Sequence, residues 1–170
     1  MQITNSNIHD IDAIFKLYAI ATEYQKNKFS GNIWPQFDRS LVETEIAEQR
    51  QFKLVLNNTI ACVWAISFSD PQIWEAKDAD PSIYIHRIAT NPVFRGQQFV
   101  TKIVNWAKVY AATEHKKFVR LDTCGNNTRL IAHYKKCGFT FLGISKIQNS
   151  NGLPSHYENA DVCYFEIKLS

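Results

Sequence analysis

The sequence predicts an α/β protein in which a mixed β-sheet carries helices on both faces. Segments with strand and helix periodicity follow one another in the order β α α β β β α β α β β. Two strand-helix-strand units, at residues 82–123 and 118–141, need crossover connections and therefore some parallel pairing. The chain has 170 residues, 45% of them hydrophobic, which is enough for one domain with its own core. We therefore expect a single domain over residues 1–170.

The first part of the chain predicts a strand and two helices. Residues 2–4 form a short strand. A helix follows, because apolar residues recur at a spacing of three to four: Ile8, Ile11, Ile14, Phe15, Tyr18 and Ala21. Residues 31–37 (GNIWPQF) read as a loop, and Ser40 with Glu43 three positions later makes a capping box. The second helix is predicted to start there.

A hairpin and a loop come next. The apolar runs at residues 52–56 and 60–68 flank the pair Asn57-Asn58, which tolerates positive φ, so these runs form a hairpin. Residues 70–81 are polar and contain two prolines, which indicates a loop.

Residues 82–90 (SIYIHRIAT) carry apolar side chains on both faces and predict a central strand. A proline turn at residues 91–96 leads into a helix. Its predicted buried side consists of Val100, Ile103, Val104, Ala107, Tyr110 and Ala111. Residues 118–123 form the next strand.

The last third predicts a helix followed by two strands. Asn127 caps the helix, which runs to about Cys137, and Gly138 occupies the position where a left-handed C-cap favours glycine. Residues 139–147 and 161–169 complete the set as strands.

Charge and cysteine content exclude several classes of protein. The net charge is only +3 and no Lys/Arg block is present, so we expect no nucleic-acid partner. We expect no membrane span, because no apolar run reaches about 18 residues, and a cytoplasmic location, because no secretory signal opens the chain. Cys62, Cys124, Cys137 and Cys163 are far apart without a C-x-x-C pair, which favours buried free thiols over a zinc site, and no metal is expected.

Residues 88–104 (IATNPVFRGQQFVTKIV) form a candidate phosphate site. A strand end, the Arg95-Gly96 turn and a helix start bring free N–H groups and a positive helix end together. The segment is neither a Walker A sequence nor G-x-G-x-x-G. Many α/β crossovers make such a turn without binding a ligand, so both interpretations stay open on these residues alone.

A second candidate segment covers residues 121–139 (LDTCGNNTRLIAHYKKCGF). Asn127 and Tyr134 are seven residues apart, two helical turns, so they lie on one face of the helix. A capping Asn and a half-buried Tyr explain the same pattern structurally.

Together the two segments resemble the GCN5-related N-acetyltransferase (GNAT) superfamily, and the resemblance runs from the first strand to the last. The matching residues are Asn91-Pro92, Arg95-Gly96, Asn127, Tyr134 and Gly138-Phe139. The resemblance implies the GNAT fold, with a mostly antiparallel sheet of about six to seven strands. The sequence departs from the family at Gln98 and Val100, where the pyrophosphate turn usually has small residues.

The resemblance also implies acetyl-CoA as cosubstrate and a set of residues that hold it. Backbone N–H groups would bind its pyrophosphate, from Arg95, Gly96, Gln97, Gln98, Phe99 and Val100. The pantetheine arm would lie along Ile88, Ala89 and Thr90, and Asn127 would contact it. Tyr134 would direct its hydroxyl at the thioester sulfur, and as a phenol it is protonated at pH 7 and can act as the general acid.

The general base is left open. His86 shares a strand face with Tyr84 and Ile88 and titrates near neutrality, but a structural histidine fits equally. Other candidates that could act through water are Glu75, Asp122, His156 and Tyr157.

Acceptor contacts are expected from loop residues. The candidates are Trp34, Phe37, Trp74 and His156, and the aromatic ones also fit a role as ordinary loop anchors.

We therefore expect an N-acetyltransferase that moves the acetyl group by direct attack of a primary amine on a small molecule, peptide or protein. The alternative is a catalytically inactive acyl-CoA-binding module, suggested by Gln98 and Val100. A scaffold that binds a protein partner through its aromatic loops is a third hypothesis. The acceptor and the choice between monomer and homodimer are not determined.

Overall fold

The computed structural model describes residues 1–28 and 31–169 and divides the chain into two compact units. The first comprises Met1–Ile66 and His86–Phe99, and the second comprises Ser67–Ile85 and Val100–Ser170. The expectation of a single domain stays a prediction.

The first unit contains three strands that pair in the order β1-β2-β3, all antiparallel. Its helices and strands are β1 (Gln2–Asn5), α1 (Ile11–Lys28), α2 (Arg39–Ala47), β2 (Gln51–Leu56) and β3 (Thr59–Ser67). Asn57 and Asn58, between β2 and β3, have φ values of 50° and 57°. Two consecutive positive φ angles are the requirement of a two-residue type I′ turn, so the predicted hairpin is confirmed.

The predicted capping box of α2 is wrong. The helix begins at Arg39, with Asp38 at the N-cap and no side-chain capping bond. Glu43 instead accepts a hydrogen bond from Arg39 Nε at 2.9 Å, one helical turn back. Because the helix starts two residues earlier than the pattern implied, Ser40 lies inside its first turn and cannot cap it.

Helix α1 supplies much of the core of the first unit. Four of its residues are buried: Ile11, Ile14 and Tyr18, as the spacing predicts, and also Leu17. Ile8, which the prediction included, lies before the helix and is exposed. They pack with residues of the following loop, of α2 and of two strands, namely Phe37, Val42, Val63 and Ala89. Burying one such side chain stabilises a fold by about 1.5–3 kcal/mol, so this cluster holds the segment around Ala89 in place.

The second unit combines one parallel strand pair with antiparallel pairs. Its elements are α3 (Pro71–Trp74), β4 (Ser82–Thr90), α4 (Phe99–Thr113), β5 (Phe118–Cys124), α5 (Thr128–Lys136), β6 (Thr140–Lys146) and β7 (Asp161–Lys168). The last five residues of β4 and the first of α4 belong to the first unit. The strand order is β4-β5-β7-β6, and only β4 with β5 is parallel among these described pairs. The predicted mixed, mostly antiparallel α/β fold is confirmed.

Two details of the second unit differ from the prediction. Residues 70–81 are not a plain loop, because Pro71 opens the short helix α3 and a 3-10 turn follows at Glu75–Ala79. Proline suits the first helical position, where its missing N–H has no partner to lose. The crossover from β5 through α5 reaches β6, but β7 lies between these two strands, so that crossover makes no parallel pair.

Helices cover both faces of the sheet in the second unit. Tyr164 and Phe165 are neighbours on β7, so their side chains point to opposite faces. Trp74 of α3 contacts Tyr164, with ring centroids 5.2 Å apart. Tyr134 of α5 contacts Phe165 at 5.1 Å. The predicted arrangement of helices on both faces therefore holds within this unit.

The four cysteines are free thiols, with Cys62, Cys137 and Cys163 buried and Cys124 half-buried. Within residues 1–28 and 31–169, no helix combines the length and the apolar character needed to cross a bilayer.

Candidate active site

The predicted pantetheine strand ends at a turn that is tied to β3. Ala89 is buried. The backbone N–H of Asn91 donates to the carbonyl of Ala61 at 2.8 Å, and its side-chain oxygen accepts from the N–H of Val93 at 3.2 Å. Thr90 lies beside the thiol of Cys62, with Oγ1 and Sγ 3.5 Å apart. The end of β4 is therefore a rigid support for the residues that follow.

The turn before α4 is exposed and holds two left-handed residues. Gly96 has a φ of 83° and Gln98 a φ of 55°. Arg95, Gly96, Gln97 and Gln98 are all exposed, and Phe99 is buried and starts the helix. Free N–H groups at a helix start, together with the helix dipole, favour an anion. Gln98 thus adopts the conformation that glycine favours, at one of the two positions where the sequence departs from the family.

The guanidinium of Arg95 lies 4.9 Å from the ring centre of Tyr24 on α1. This contact restrains an exposed cation at the mouth of the turn, which is where a phosphate group would need positive charge.

A strained, charged position interrupts β4 just before its end. Arg87 has a φ of 51°, and its guanidinium forms an ion pair with the buried carboxylate of Glu45. Arg87 Nε also donates to the hydroxyl of Tyr18 at 3.3 Å, and the guanidinium lies 5.2 Å from the ring centre of Phe37. The neighbouring strand residue is His86. Burial and the positive charges of Arg87 and Arg50 lower the pKa of His86 to about 3.

His86 is therefore neutral at pH 7 and holds a proton only weakly. A base with such a low pKa has little affinity for the proton of an ammonium group. Its catalytic role stays a prediction, and its surroundings favour a structural one.

Two predicted acceptor residues lie in the aromatic core of the first unit. Phe37 is buried and half-buried Trp34 contacts it with ring centres 5.7 Å apart. Both rings also contact Tyr18 of α1. These contacts explain the two aromatics as anchors of residues 31–38, and their contact with an acceptor stays a prediction.

In the second unit, the caps at the two ends of α5 hold Tyr134 in position. The side chain of Asn127 accepts a hydrogen bond from the N–H of Leu130 at 3.1 Å and so caps α5, as predicted. At the other end Gly138 has a φ of 102°, the N–H of Phe139 donates to the carbonyl of Tyr134 at 3.2 Å, and the N–H of Gly138 donates to that of Lys135 at 3.0 Å. These two bonds define a Schellman motif.

The Schellman motif includes the hydrophobic contact that usually accompanies it. The ring of Phe139 meets that of Tyr134 edge on, with centroids 5.9 Å apart. Tyr134 is buried and its ring is also held by Phe165. The tyrosine predicted to act as general acid is thus locked by the end of its own helix.

A half-buried pair of carboxyl groups lies on the opposite face of the strands. Carboxylate oxygens of Asp70, which precedes α3, and Asp122, on β5, lie within 4.8 Å of each other. The hydroxyl of Tyr157 donates to Asp122 at 2.8 Å. Burial raises the pKa of Asp122 to about 6. Burial, reinforced by the negative charges of Asp122 and Asp78, raises the pKa of Asp70 to about 7.

Tyr157, which bonds Asp122, belongs to a cluster of aromatic residues. Trp74 is buried and packs with Tyr84, and both belong to one cluster with Tyr157 and Tyr164. Arg120, fully buried, lies 4.9 Å from the Trp74 ring and bonds Glu166 through Nε at 2.8 Å. Arg120 also pairs with Asp80, at 2.7 Å, so it ties the segment after α3 to β5.

The residues predicted to contact the acceptor thus fall into two separate clusters. Trp74 and His156 accompany the acid pair, since the His156 ring lies 4.4 Å from that of Tyr157. Asp70 was missed by sequence reasoning. Its signal was weak, because an Asp before a proline is ordinary at a helix start, and only its distance from Asp122 distinguishes it.

The fold is similar to that of solved acetyltransferase structures. A GNAT-family acetyltransferase from Listeria monocytogenes 4b F2365 is 19% identical, with a TM-score of 0.79 over 99% of this chain and 94% of that one. The Salmonella typhimurium acetyltransferase yncA, solved with its cofactor acetyl-CoA, is 13% identical, with a TM-score of 0.69 over 100% of this chain and 94% of that one. These similarities define an acetyltransferase fold.

The family follows from the sequence match. A model described as Acetyltransferase (GNAT) family matches residues 13–139, and the chain belongs to this family. The uncharacterized N-acetyltransferase YesJ of Bacillus subtilis (strain 168) is 30% identical over 74 residues. That alignment spans 44% of this chain and 41% of YesJ.

Proposed function

We propose that the protein is an N-acetyltransferase that moves the acetyl group of acetyl-CoA directly to a primary amine of a small molecule, peptide or protein. The observation that carries this proposal is the placement of Tyr134. Its ring is buried and fixed by the Schellman motif at the end of α5, and its phenol is the group that would protonate a departing thiolate.

The exposed turn at Arg95 to Val100 supports binding of acetyl-CoA. Gly96 and Gln98 in left-handed conformations and the start of α4 form a backbone anion site, and Arg95 adds a positive charge. Ile88, Ala89 and Thr90 would pair with the amide groups of the pantetheine arm, as an added strand does. Asn127, at the start of α5, is predicted to contact the same arm.

The cysteines favour direct attack over an acyl-enzyme. Burial raises the pKa of Cys62 to about 11 and also raises those of Cys124 and Cys163. These three thiols are therefore protonated at pH 7, and a protonated thiol is a poor nucleophile.

Binding and transfer can be tested in two steps. Acetyl-CoA at a hundred times its Kd should stabilise the folded protein by about 2.7 kcal/mol, seen as a raised Tm. Acetyl phosphate at the same concentration serves as the control, because it lacks the nucleotide and pantetheine. No shift with acetyl-CoA would refute both the enzyme and the acyl-CoA-binding module.

The second step uses mass spectrometry of products from spermidine, lysine amide and a short lysine peptide. Acetylation of any of these amines supports the enzyme. Binding of acetyl-CoA without transfer to any of them would favour the inactive module instead.

A further inference from the structure

We propose that Asp122, with Asp70 beside it and Tyr157 bonded to it, is the catalytic base that takes the proton from the acceptor's ammonium group. The inference rests on the proposed acetyl transfer. It assigns the acceptor as an amine that arrives charged and loses its proton inside the second unit.

The geometry places acid and base on opposite faces of the same strands. Leu121 is paired with Phe165, whose ring contacts Tyr134, and Asp122 is paired with Tyr164 on the next row of the sheet. Side chains alternate along a strand, so Asp122 and Tyr164 point away from Tyr134. This arrangement suits a reaction whose two reactants approach the strands from opposite sides.

A surface groove gives access to the face that carries Asp122. The groove has a volume of about 310 Å³, comparable with small-ligand sites, and its lining includes Trp74, Tyr164, Leu142 and Ile144. Tyr164 thus borders the groove and is also the cross-strand neighbour of Asp122.

A second feature of the same cluster is a buried hydrogen-bond donor that a ligand could satisfy. The indole N–H of Trp74 is buried without a hydrogen-bond partner among the described residues, although the side chain is only 3% exposed. A buried donor of this kind costs free energy unless an acceptor atom or a water satisfies it.

The carboxyl pair is suited to hold one extra proton. Two like charges within 4.8 Å of each other and partly shielded from water resist simultaneous ionisation. An ammonium group brought between them is attracted by their charge and can pass a proton to Asp122. The neutral amine then has the lone pair that attack on the thioester requires.

The transfer balances without another reactant. The amine nitrogen forms a bond to the acetyl carbon, and the carbon–sulfur bond breaks, leaving its electron pair on sulfur. Tyr134 gives its proton to that sulfur and is restored by the second proton that the nitrogen loses. Asp122 releases the first proton to solvent.

Several groups around Asp122 set its titration. Tyr157 lowers the pKa of Asp122 through its hydrogen bond. Arg120 is already paired with Glu166 and Asp80, so it does not titrate in this range. The other titratable groups of the second unit near the pair are Asp78, Glu75, Tyr84, Cys124 and Tyr164.

The experiment compares pH profiles of kcat for the full chain and four variants, using the amine that the wild type acetylates fastest. Asp122→Asn should lower kcat by roughly 10²–10⁴-fold, the usual contribution of a general base. Asp70 has the higher pKa of the pair and is still protonated where Asp122 titrates, so Asp70→Asn, which resembles the protonated form, should leave the acid limb in place. Tyr157→Phe removes the bond that stabilises the carboxylate and should move the same limb to higher pH. Glu158→Gln, an exposed neighbour, is the control and should leave the profile unchanged.

The upward shift of the limb in Tyr157→Phe, against unmoved limbs in Asp70→Asn and Glu158→Gln, decides the proposal even if Asp122→Asn fails to fold. Unfolding or loose packing would lower activity without moving the limb. The base assignment is overturned if folded Asp122→Asn keeps its kcat, or if the limb of Tyr157→Phe is unmoved or moves to lower pH. A wild type that acetylates no amine between pH 5 and 9 overturns the proposed function as well, which distinguishes the two failures.

Discussion

Replacing Gly138 tests the link between a single backbone angle and the position of Tyr134. Gly138 has a φ of 102°, and a Cβ added there would meet only Lys108 Nζ, at 4.0 Å. The substitution Gly138→Ala therefore introduces no clash, and its cost is the strain of a left-handed L-residue. That strain is about 1–2 kcal/mol.

The expected net loss is smaller, because alanine also restricts the unfolded chain and so favours folding by about 0.4–1 kcal/mol. We expect Gly138→Ala to destabilise the protein by about 1 kcal/mol. For a chain of this length that corresponds to a fall in Tm of about 2–4 °C. Gly138→Asn should lose less, because asparagine tolerates left-handed backbone better than alanine.

Gly31→Ala is the matched control for differential scanning calorimetry. Gly31 lies outside the left-handed region and has nothing within 4 Å of an added Cβ. Only the unfolded-chain effect operates there, so Tm should stay equal or rise. Equal Tm values for Gly138→Ala and Gly31→Ala would refute the reasoning. A fall in kcat for Gly138→Ala alone would show in addition that the Schellman motif positions Tyr134.

Three further substitutions test the site and its supports. Tyr134→Phe should lower kcat by roughly 10²-fold or more, with acetyl-CoA affinity by calorimetry nearly unchanged; an unaltered kcat would exclude Tyr134 as the acid. Gln98→Gly relieves a φ of 55° and should leave acetyl-CoA binding equal or tighter, whereas marked weakening would mean that the Gln98 side chain contacts the cosubstrate. Glu45→Ala leaves the charge of Arg87 buried and unpaired, so urea unfolding should show a free energy of unfolding lower by about 3–5 kcal/mol. Glu45→Gln should lower the free energy of unfolding by less. Equal losses in the two variants would contradict this role of the ion pair.

Much of the fold could be predicted because its signals are local. The bounds of β4 agree with the prediction residue by residue, since its apolar run is bordered by prolines on both sides. The hairpin at Asn57-Asn58 and the two caps of α5, at Asn127 and Gly138, also follow from residues close together in the chain. Cap and turn preferences act over a few residues, which is why a sequence reveals them.

The α2 start shows where local signals compete. Ser40 and Glu43 satisfy the capping-box pattern, but Arg39 bonds Glu43 and the helix begins at Arg39. Both arrangements use adjacent residues, and spacing alone does not rank them.

The sequence by itself determined the order of strands and helices, the family resemblance and the candidate acid Tyr134, because periodicity, caps and turns are encoded by near neighbours. Only the tertiary structure determined how strongly each candidate base holds a proton. It brought Asp70 close to Asp122, which is 52 positions away in the sequence. It also buried His86 near the positive charges of Arg87 and Arg50. The physical reason is that a proton's affinity depends on desolvation and on charges a few ångströms away, and both are set by which distant residues the fold brings together.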